Sequence, residues 1–106
     1  MNAETALMHR VMLALSEAGC IVWRNNCGAI QSADGRFVRY GIGNPGGSDL
    51  IGICRGRFLA VEIKTSKGRA TQEQQRFINA VLTAGGIAGI VRSPEEALAL
   101  IREKTP

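Results

Sequence analysis

The sequence predicts an α/β domain with the element order α-β-β-β-β-β-α-β-α. Three segments carry apolar residues at helical spacing, one near each end of the chain and one after Thr71. The runs between them are short, rich in β-branched residues and separated by glycine-containing turns, which is typical of strands. The 106 residues contain no internal repeat and no linker, so we expect one domain over residues 1–106.

Residues 1–43 predict a helix, a strand and a hairpin. The segment 3–18 has one stripe of apolar side chains at helical spacing and is followed by Gly19, a typical helix stop. The run CIVWRNN that comes next is β-branched and aromatic, which favours a strand. Beyond it, Asp34-Gly35 separates two short extended pieces, and this dipeptide indicates a hairpin turn.

The loop GNPGGSD, residues 43–49, is rich in glycine but lacks the Lys-Ser/Thr ending of a phosphate-binding loop. We therefore do not predict a nucleotide site there. The loop is either a plain turn or a place where the backbone comes close to a ligand.

The rest of the chain predicts two strands, a helix, a strand and a helix. The runs DLIGIC and RFLAVEIKT are expected to pair through a tight turn at Arg55-Gly56. A helix is expected over residues 71–86 and a buried strand over residues 87–92. The last helix, residues 93–104, has a serine cap followed by proline at its first position.

The formal net charge is +4, and arginines outnumber lysines among the basic residues. Arginine suits bidentate phosphate contacts, so the composition indicates a nucleic-acid partner; the alternative is a charge that only maintains solubility. No apolar run reaches the roughly 18 residues of a membrane span, and the first residues lack the features of a signal peptide. We therefore expect a cytoplasmic protein without a membrane partner.

The three cysteines, Cys20, Cys27 and Cys54, lack the paired spacing of a metal site. We expect them to be reduced thiols, as is usual inside cells. His9 is the only histidine and falls off the strongest apolar stripe of its helix. No CxxC or HxxxH spacing is present, so we do not predict zinc.

The hairpin through Arg55-Gly56 gathers three charged side chains. If these two residues form its tip, the numbers of paired residues sum to 111, and Asp49 lies opposite Glu62. Directly opposed side chains are about 5 Å apart at their Cβ atoms. Glu62 and Lys64 are two residues apart on one strand and therefore project from the same face. A bulge or a slip of one residue would move Asp49 away.

Two carboxylates this close repel each other unless a cation lies between them. Mg²⁺ prefers oxygen ligands, so we predict a metal site formed by Asp49, Glu62 and the backbone carbonyl of Ile63. Lys64 beside the metal would orient or deprotonate a water, or stabilise the charge that develops on a phosphate. The chemistry that fits is metal-assisted hydrolysis of a phosphodiester. The alternative is an ordinary structural ion pair of Lys64 with one carboxylate.

The motifs GGSD and VEIK resemble the (P)D…ExK signature of the restriction-endonuclease-like nuclease superfamily. The longer stretch FLAVEIKTSKGRATQEQQRFINAVLTAGGIAGIVRSPEEAL resembles the small phage-type members of the VRR-Nuc family, which stand alone as single domains. The resemblance is strongest over residues 47–98 and loosest over residues 20–43. The proline that usually precedes the catalytic aspartate is Ser48 here.

This resemblance implies a restriction-endonuclease-like core, with a mixed β-sheet flanked by helices in the order α-β-β-β-α-β-α and an extra N-terminal hairpin. It also implies DNA cleavage with Mg²⁺ or Mn²⁺. Position by position, Asp49 and Glu62 match the metal ligands and Lys64 the catalytic lysine. Gln74 matches a glutamine that positions the water or phosphate, and Glu4 matches an acid that adds a ligand or fixes a metal-bound water.

Local helix signals offer other roles for two of these residues. Gln74 lies three residues after Thr71, so it fits a capping box, and Gln75 is the functional glutamine if the helix begins one residue later. Glu4 lies in the first turn of a helix, where an acid is favourable through the helix dipole alone.

Several basic residues are candidates for contacts with the DNA backbone. Lys67 and Arg69 lie in the loop just after the ExK strand, and Arg55 and Arg57 lie at the hairpin tip. Arg36 and Arg39 flank a strand of the first hairpin and are weaker candidates. Trp23 and Tyr40 are either base-stacking residues or, for Trp23 above all, core residues.

We therefore expect a metal-dependent DNA endonuclease, and the resemblance implies a homodimer that cuts branched DNA such as Holliday junctions. The first helix and the hairpin near Phe37 are candidate dimer surfaces, since a two-fold dimer would present two sites of opposite polarity. The resemblance also implies a phage or prophage origin in a bacterial host. The alternatives are a DNA-binding module with a nuclease-like fold that does not cut, and a structural protein without a nucleic-acid role.

Overall fold

In a computed structural model, which describes residues 1–102, the chain folds as a four-stranded mixed sheet flanked by helices, with a separate two-stranded ribbon. The elements follow the predicted order: α1 Ala3–Glu17, β1 Ile21–Arg24, β2 Gly28–Gln31, β3 Phe37–Tyr40, β4 Leu50–Cys54, β5 Arg57–Ile63, α2 Gln72–Thr83, β6 Ile87–Val91 and α3 Pro94–Ile101. The predicted extension of the last helix to residue 104 lies outside the described residues. Within residues 1–102, no helix combines the length and the apolar character needed to cross a membrane.

The four-stranded sheet has the order β1-β4-β5-β6. β4 is antiparallel to both of its neighbours, whereas β5 and β6 are parallel and are connected by α2. In the β4–β5 pair the residue numbers sum to 111 from Leu50↔Val61 to Cys54↔Arg57, which confirms the predicted register. The hairpin therefore carries Asp49 towards Glu62 at the end opposite its tip.

The two faces of this sheet are covered unequally. α1 and α3 pack together over one face, and their buried side chains form the main core with Leu50, Leu59, Val61 and Ile63. On the other face, α2 packs on β5 and β6, where Ile78 and other side chains form a smaller cluster. On the α2 side of β1 and β4, Ile21, Trp23 and Ile53 stay exposed, with Trp23 51% exposed, whereas Ile51 is buried. Of the two roles open for Trp23, a place in the core of this chain is therefore wrong.

The predicted hairpin around Asp34-Gly35 is present as the antiparallel pair of β2 and β3. Its strands form a sheet of their own and do not join the four-stranded sheet. In the turn, the hydroxyl of Ser32 and the backbone N–H of Arg36 donate to Asp34, which lowers the pKa of that carboxyl. The ribbon leaves several apolar side chains exposed, namely Ile30, Phe37, Val38 and Tyr40.

All three cysteines are free thiols. Cys20 and Cys54 are buried, and the Cys20 thiol donates to the Cys54 sulfur over 2.7 Å. Burial, together with the neighbouring Cys54, raises the pKa of Cys20 to about 12, so this thiol remains protonated and unreactive.

The glycine-rich loop comes close to the first turn of α2. Gly46 has a φ of 93°, and a Cβ placed there would lie 2.4 Å from the carbonyl oxygen of Glu73 in the first turn of α2. The side chain of Asn25 fixes both ends of the loop, because its amide donates to the carbonyl oxygens of Ile42 and Ser48 at 2.8 and 3.0 Å. The loop therefore couples the start of β4 to the start of α2.

We predict that Gly46→Ala destabilises the protein more than Gly19→Ala does. Gly19 has nearly the same φ, 97°, but a Cβ there meets nothing within 4 Å, so it isolates the conformational cost, about 1 kcal/mol. Gly46→Ala adds a collision with the α2 backbone, which we expect to cost roughly 2 kcal/mol more. Urea denaturation of both variants measures the difference, and equal losses would show that the loop does not pack tightly on α2.

Candidate active site

The β4–β5 hairpin brings two carboxyl groups together at one edge of the sheet. Asp49 directly precedes β4, and its Oδ2 accepts a hydrogen bond of 2.9 Å from the backbone N–H of Ile63. Glu62 is the penultimate residue of β5 and is only 2% exposed. The negative charge of Asp49 is near enough to help raise the pKa of Glu62. The register of the hairpin thus places the two acids at the same end of the β4–β5 pair, as the spacing predicted.

Two further predicted residues converge on one oxygen of Glu62. The ammonium of Lys64 lies 3.3 Å from Glu62 Oε2, and the side-chain amide of Gln74 donates to the same atom over 3.0 Å. Gln74 Oε1 also accepts from the backbone N–H of Thr71, whose hydroxyl accepts from the backbone N–H of Gln74. The capping box and the contact with Glu62 therefore coexist, because they use opposite ends of one amide. Gln75 instead donates to Asn79.

The second oxygen of Glu62, Oε1, has no partner within residues 1–102. Oε1 is buried, and among the described residues it has no hydrogen-bond partner. Burial raises the pKa of Glu62 from 4.5 to about 7, and the charge of Asp49 adds to the rise, whereas Lys64 opposes it. A buried carboxylate with an unpaired oxygen is costly unless a cation or a proton reaches it.

This donor set fits a divalent cation. Mg²⁺ takes a few carboxylate oxygens and fills its remaining positions with water and substrate phosphate. Asp49 and Glu62 supply such oxygens, and Glu62 Oε1 is an oxygen without another partner. Within residues 1–102, however, no three His, Cys, Asp or Glu side chains are grouped to hold a metal ion. The chain therefore offers a two-carboxylate site rather than a complete cage.

Glu4 and Ile63, the other predicted metal ligands, lie on the Asp49 side of the site. Both line a pocket of about 70 Å³ beside Asp49, together with Thr5, Met8 and Arg24. Glu4 is an exposed residue in the first turn of α1, where Asn2 is the cap. The structure thus places Glu4 next to Asp49 but does not bring it into one cluster with Glu62.

Lys67 and Arg69 line an open groove of about 660 Å³ that begins where β5 ends. Arg92 lines the same groove and donates to the carbonyl oxygen of Thr65 over 2.5 Å. Sequence reasoning missed Arg92. In the structure, parallel pairing of Ile63 with Val91 makes Arg92 the counterpart of Lys64 on the next strand, and no local sequence signal fixes that register.

Arg55 and Arg57 lie at the other end of the hairpin, away from the carboxylates. Glu62 is five steps along β5 from Arg57, which corresponds to roughly 17 Å. The guanidinium of Arg57 is engaged by the backbone, since it donates to the carbonyl oxygens of Gly85 and Gly86. The structure does not bring these two arginines together with the other candidate residues.

Ser48 occupies the position where the resembling nucleases carry proline. It is 1% exposed, and its carbonyl oxygen accepts from Asn25. Its hydroxyl has no hydrogen-bond partner among the described residues. Asn25 also donates its backbone N–H to the carbonyl oxygen of Asp49 over 2.8 Å, so it holds the residues that precede β4 in place. Nothing in the sequence had singled out Asn25.

Comparison with known proteins identifies no relative of this chain. No protein-family model matches the chain, and no curated protein matches it significantly.

We predict that Glu62 makes the metal-free protein less stable as pH rises. Its pKa is higher in the folded state, so folding takes up a proton between pH 4.5 and about 7, and the free energy of unfolding falls through this window. Glu62→Gln removes the effect. Urea denaturation with a chelator present measures the free energy of unfolding. Between about pH 5 and about pH 8, that of the variant should rise relative to that of the wild type, by on the order of 1.4 kcal/mol for each unit of the pKa difference between the folded and unfolded states.

Glu95→Gln, an exposed acid in the first turn of α3, is the matched control and should follow the wild type. If the free energies of unfolding of the wild type and of Glu62→Gln change with pH in parallel, folding does not raise the pKa of Glu62.

Proposed function

We propose that this chain is a metal-dependent nuclease that hydrolyses phosphodiester bonds in DNA, and that it belongs to the VRR-Nuc family of restriction-endonuclease-like nucleases. The observation that carries the proposal is the buried Glu62 carboxylate. One of its oxygens is held by Lys64 and Gln74, and the other is buried without a hydrogen-bond partner among the described residues. A charge this costly in a strand of the core indicates chemistry rather than stability.

In this proposal Asp49 and Glu62 hold Mg²⁺ or Mn²⁺. When bound, the ion supplies Lewis-acid activation of the phosphate and acidifies a water. Gln74 fixes the Glu62 carboxylate through Oε2, so Oε1, which is buried and has no partner among the described residues, remains available to an ion. Lys64 keeps its ammonium 3.3 Å from the same Oε2, where it can donate to a phosphate oxygen as negative charge develops.

The surroundings of the site support a polyanionic substrate. Lys67, Arg69 and Arg92 line the groove beside Lys64, and no acidic residue is among the groove's lining residues. Cations arranged along a groove bind a DNA backbone through its phosphates, largely without regard to sequence. The mixed sheet, with an aspartate before β4 and ExK at the end of β5, is also compatible with a restriction-endonuclease-like core.

The proposed substrate is branched DNA, and the proposed active form is a homodimer. The exposed apolar side chains of the β2–β3 ribbon, among them Phe37 and Val38, offer a surface for a second copy. A two-fold pair of sites suits the two strands of a four-way junction. Branch preference, the homodimer and a phage or prophage origin are all extensions of the motif resemblance.

One observation favours a second candidate, a DNA-binding module that does not cut. Within the described part of the chain, the carboxylates at the site do not form a group of three that could hold a metal ion. Such a module would use the basic groove and leave the carboxylates without an ion. Cleavage itself distinguishes the two functions.

We predict that the wild type cuts a four-way junction when Mg²⁺ or Mn²⁺ is added, and that Lys64→Ala loses at least about 100-fold in single-turnover rate. The ammonium acts on the reacting phosphate, so junction binding in gel-shift assays should be largely retained. Linear, flapped and forked DNAs in the same assay measure the branch preference.

Asp49→Asn and its matched control Asp34→Asn complete the test. Asp34 is an exposed acid in the ribbon turn, so its variant should cut like the wild type, whereas Asp49→Asn should be inactive. Retained cleavage by Lys64→Ala would overturn the catalytic assignment. Junction binding by the wild type without cleavage in either metal would favour the binding module.

We predict that Arg69→Ala weakens DNA binding similarly for all sequences and lowers the slope of log affinity against log salt by about one. Arg69 lines the groove, whereas Arg10 is exposed on α1, so Arg10→Ala removes the same charge away from the groove. Fluorescence anisotropy over a salt series measures both slopes. Equal slopes in the two variants would show that DNA does not follow the groove.

A further inference from the structure

Asn25 uses its whole side-chain amide on the loop that leads into β4. It directly follows β1, and its Nδ2 donates to the carbonyl oxygens of Ile42 and Ser48 at 2.8 and 3.0 Å. Its Oδ1 accepts from the backbone N–H of Ile42 over 3.0 Å. A side-chain amide offers two hydrogens and one oxygen, so both of its ends are engaged.

These bonds extend the β1–β4 pair beyond its last paired residues, Arg24 and Leu50. The Asn25 side chain donates to the carbonyl and accepts from the N–H of one residue, Ile42, as a strand residue does with its partner. The backbone N–H of Asn25 donates to the carbonyl oxygen of Asp49 over 2.8 Å, which continues the ladder by one residue. One residue therefore joins the end of β1 to both ends of the loop and to Asp49 itself.

The Asp49 carboxylate depends on this attachment for its place. Asp49 lies just outside β4, and its Oδ2 accepts from the backbone N–H of Ile63 over 2.9 Å. That bond fixes one atom of the side chain. The position of its Cα follows from the backbone, which Asn25 holds through Ser48 and through Asp49. Asn25 thus acts on the separation of Asp49 from Glu62.

We propose that Asn25 is a positioning residue, which holds Asp49 at the separation from Glu62 that a divalent ion requires. It acts through the backbone and does not contact the ion. The proposal rests on the proposed function, since the metal site is the one named there. Residues that hold the ligands of a metal typically contribute roughly 10- to 100-fold to metal affinity or activity.

A second asparagine in the same connection separates this role from simple stabilisation. Asn44 is partly buried like Asn25, and its Nδ2 donates to the carbonyl oxygens of Gly28 in β2 and Tyr40 in β3, both over 2.7 Å. Its bonds end on the ribbon, whereas those of Asn25 end beside Asp49. If Asn25 only stabilised the fold, substitution of either asparagine would act on the metal site in the same way.

The test measures the affinity for Mn²⁺ alone, from the electron paramagnetic resonance signal of the free ion. We expect Asn25→Ala to lose roughly 10- to 100-fold in affinity and Asn44→Ala to bind like the wild type. Urea denaturation should show that both variants are less stable than the wild type. Asn25→Ser keeps a hydroxyl donor and should lie between the wild type and Asn25→Ala; it replaces Asn25→Ala in the test if the alanine variant does not fold.

The metal dependence of junction cleavage gives a second readout. Asn25→Ala should need roughly 10- to 100-fold more Mn²⁺ for half-maximal cleavage and should recover as Mn²⁺ is raised, because both carboxylates are still present. Its junction binding without metal should equal that of the wild type, since the basic groove is unchanged. A damaged fold, in contrast, would weaken DNA binding and would not be repaired by the ion.

Two results would overturn the proposal. They are Mn²⁺ binding by Asn25→Ala as tight as in the wild type, and equal losses in Asn25→Ala and Asn44→Ala. A wild type that binds no Mn²⁺ would remove the metal site and this role with it. Mn²⁺ binding that Asn25→Ala weakens, in a wild type that cuts no DNA, would support the role of Asn25 and remove the nuclease.

Discussion

The organisation of this protein depends on one buried carboxylate. Glu62 lies in β5, whose neighbouring residues from Leu59 to Ile63 are all buried, and it is 2% exposed itself. An ionised carboxylate in such a place requires partners. Lys64 and Gln74 satisfy Oε2, and Oε1 is left to a proton or a cation. The strand that holds the core together is thus also the strand that carries the costly charge.

Each partner of Glu62 is itself held by the fold. Asp49 accepts from the backbone of Ile63, and Gln74 is fixed at both ends of its amide by the α2 cap and by Glu62. Asn25 and the glycine-rich loop connect these parts, because the loop runs from the Asn25 side chain over the first turn of α2. Side chains fixed in this way lose little freedom when a substrate binds, which is what a catalytic arrangement requires.

The sequence predicted the elements that depend on local signals. The element order, the ribbon turn, the α2 cap and the β4–β5 register all follow from periodicity, glycine positions and the tip at Arg55-Gly56. The register then brought Asp49 and Glu62 together without any tertiary information. Whether Gln74 only caps α2 or also has a catalytic role was left open. The structure shows the cap together with a contact to Glu62, because an amide has a donor end and an acceptor end.

The features that were missed depend on contacts between distant segments. The role of Asn25 exists only because β1 pairs with β4 and lies beside the loop. The exposure of Trp23 depends on how much of the sheet α2 covers, and strand propensity says nothing about that. Likewise, the helix signal predicts that Glu4 lies in the first turn of α1, but it does not predict which side chains of other elements lie near that turn.

The measurement that tests the central claim most directly is an anomalous diffraction experiment on crystals soaked in Mn²⁺. If the buried charge of Glu62 exists to hold a divalent ion, a peak lies within coordination distance of Glu62 Oε1 and of the Asp49 carboxylate, and Lys64 and Gln74 remain on Oε2. Ordered density for both acids with no peak between them, in crystals soaked at a high Mn²⁺ concentration, would show that the buried charge does not hold a divalent ion.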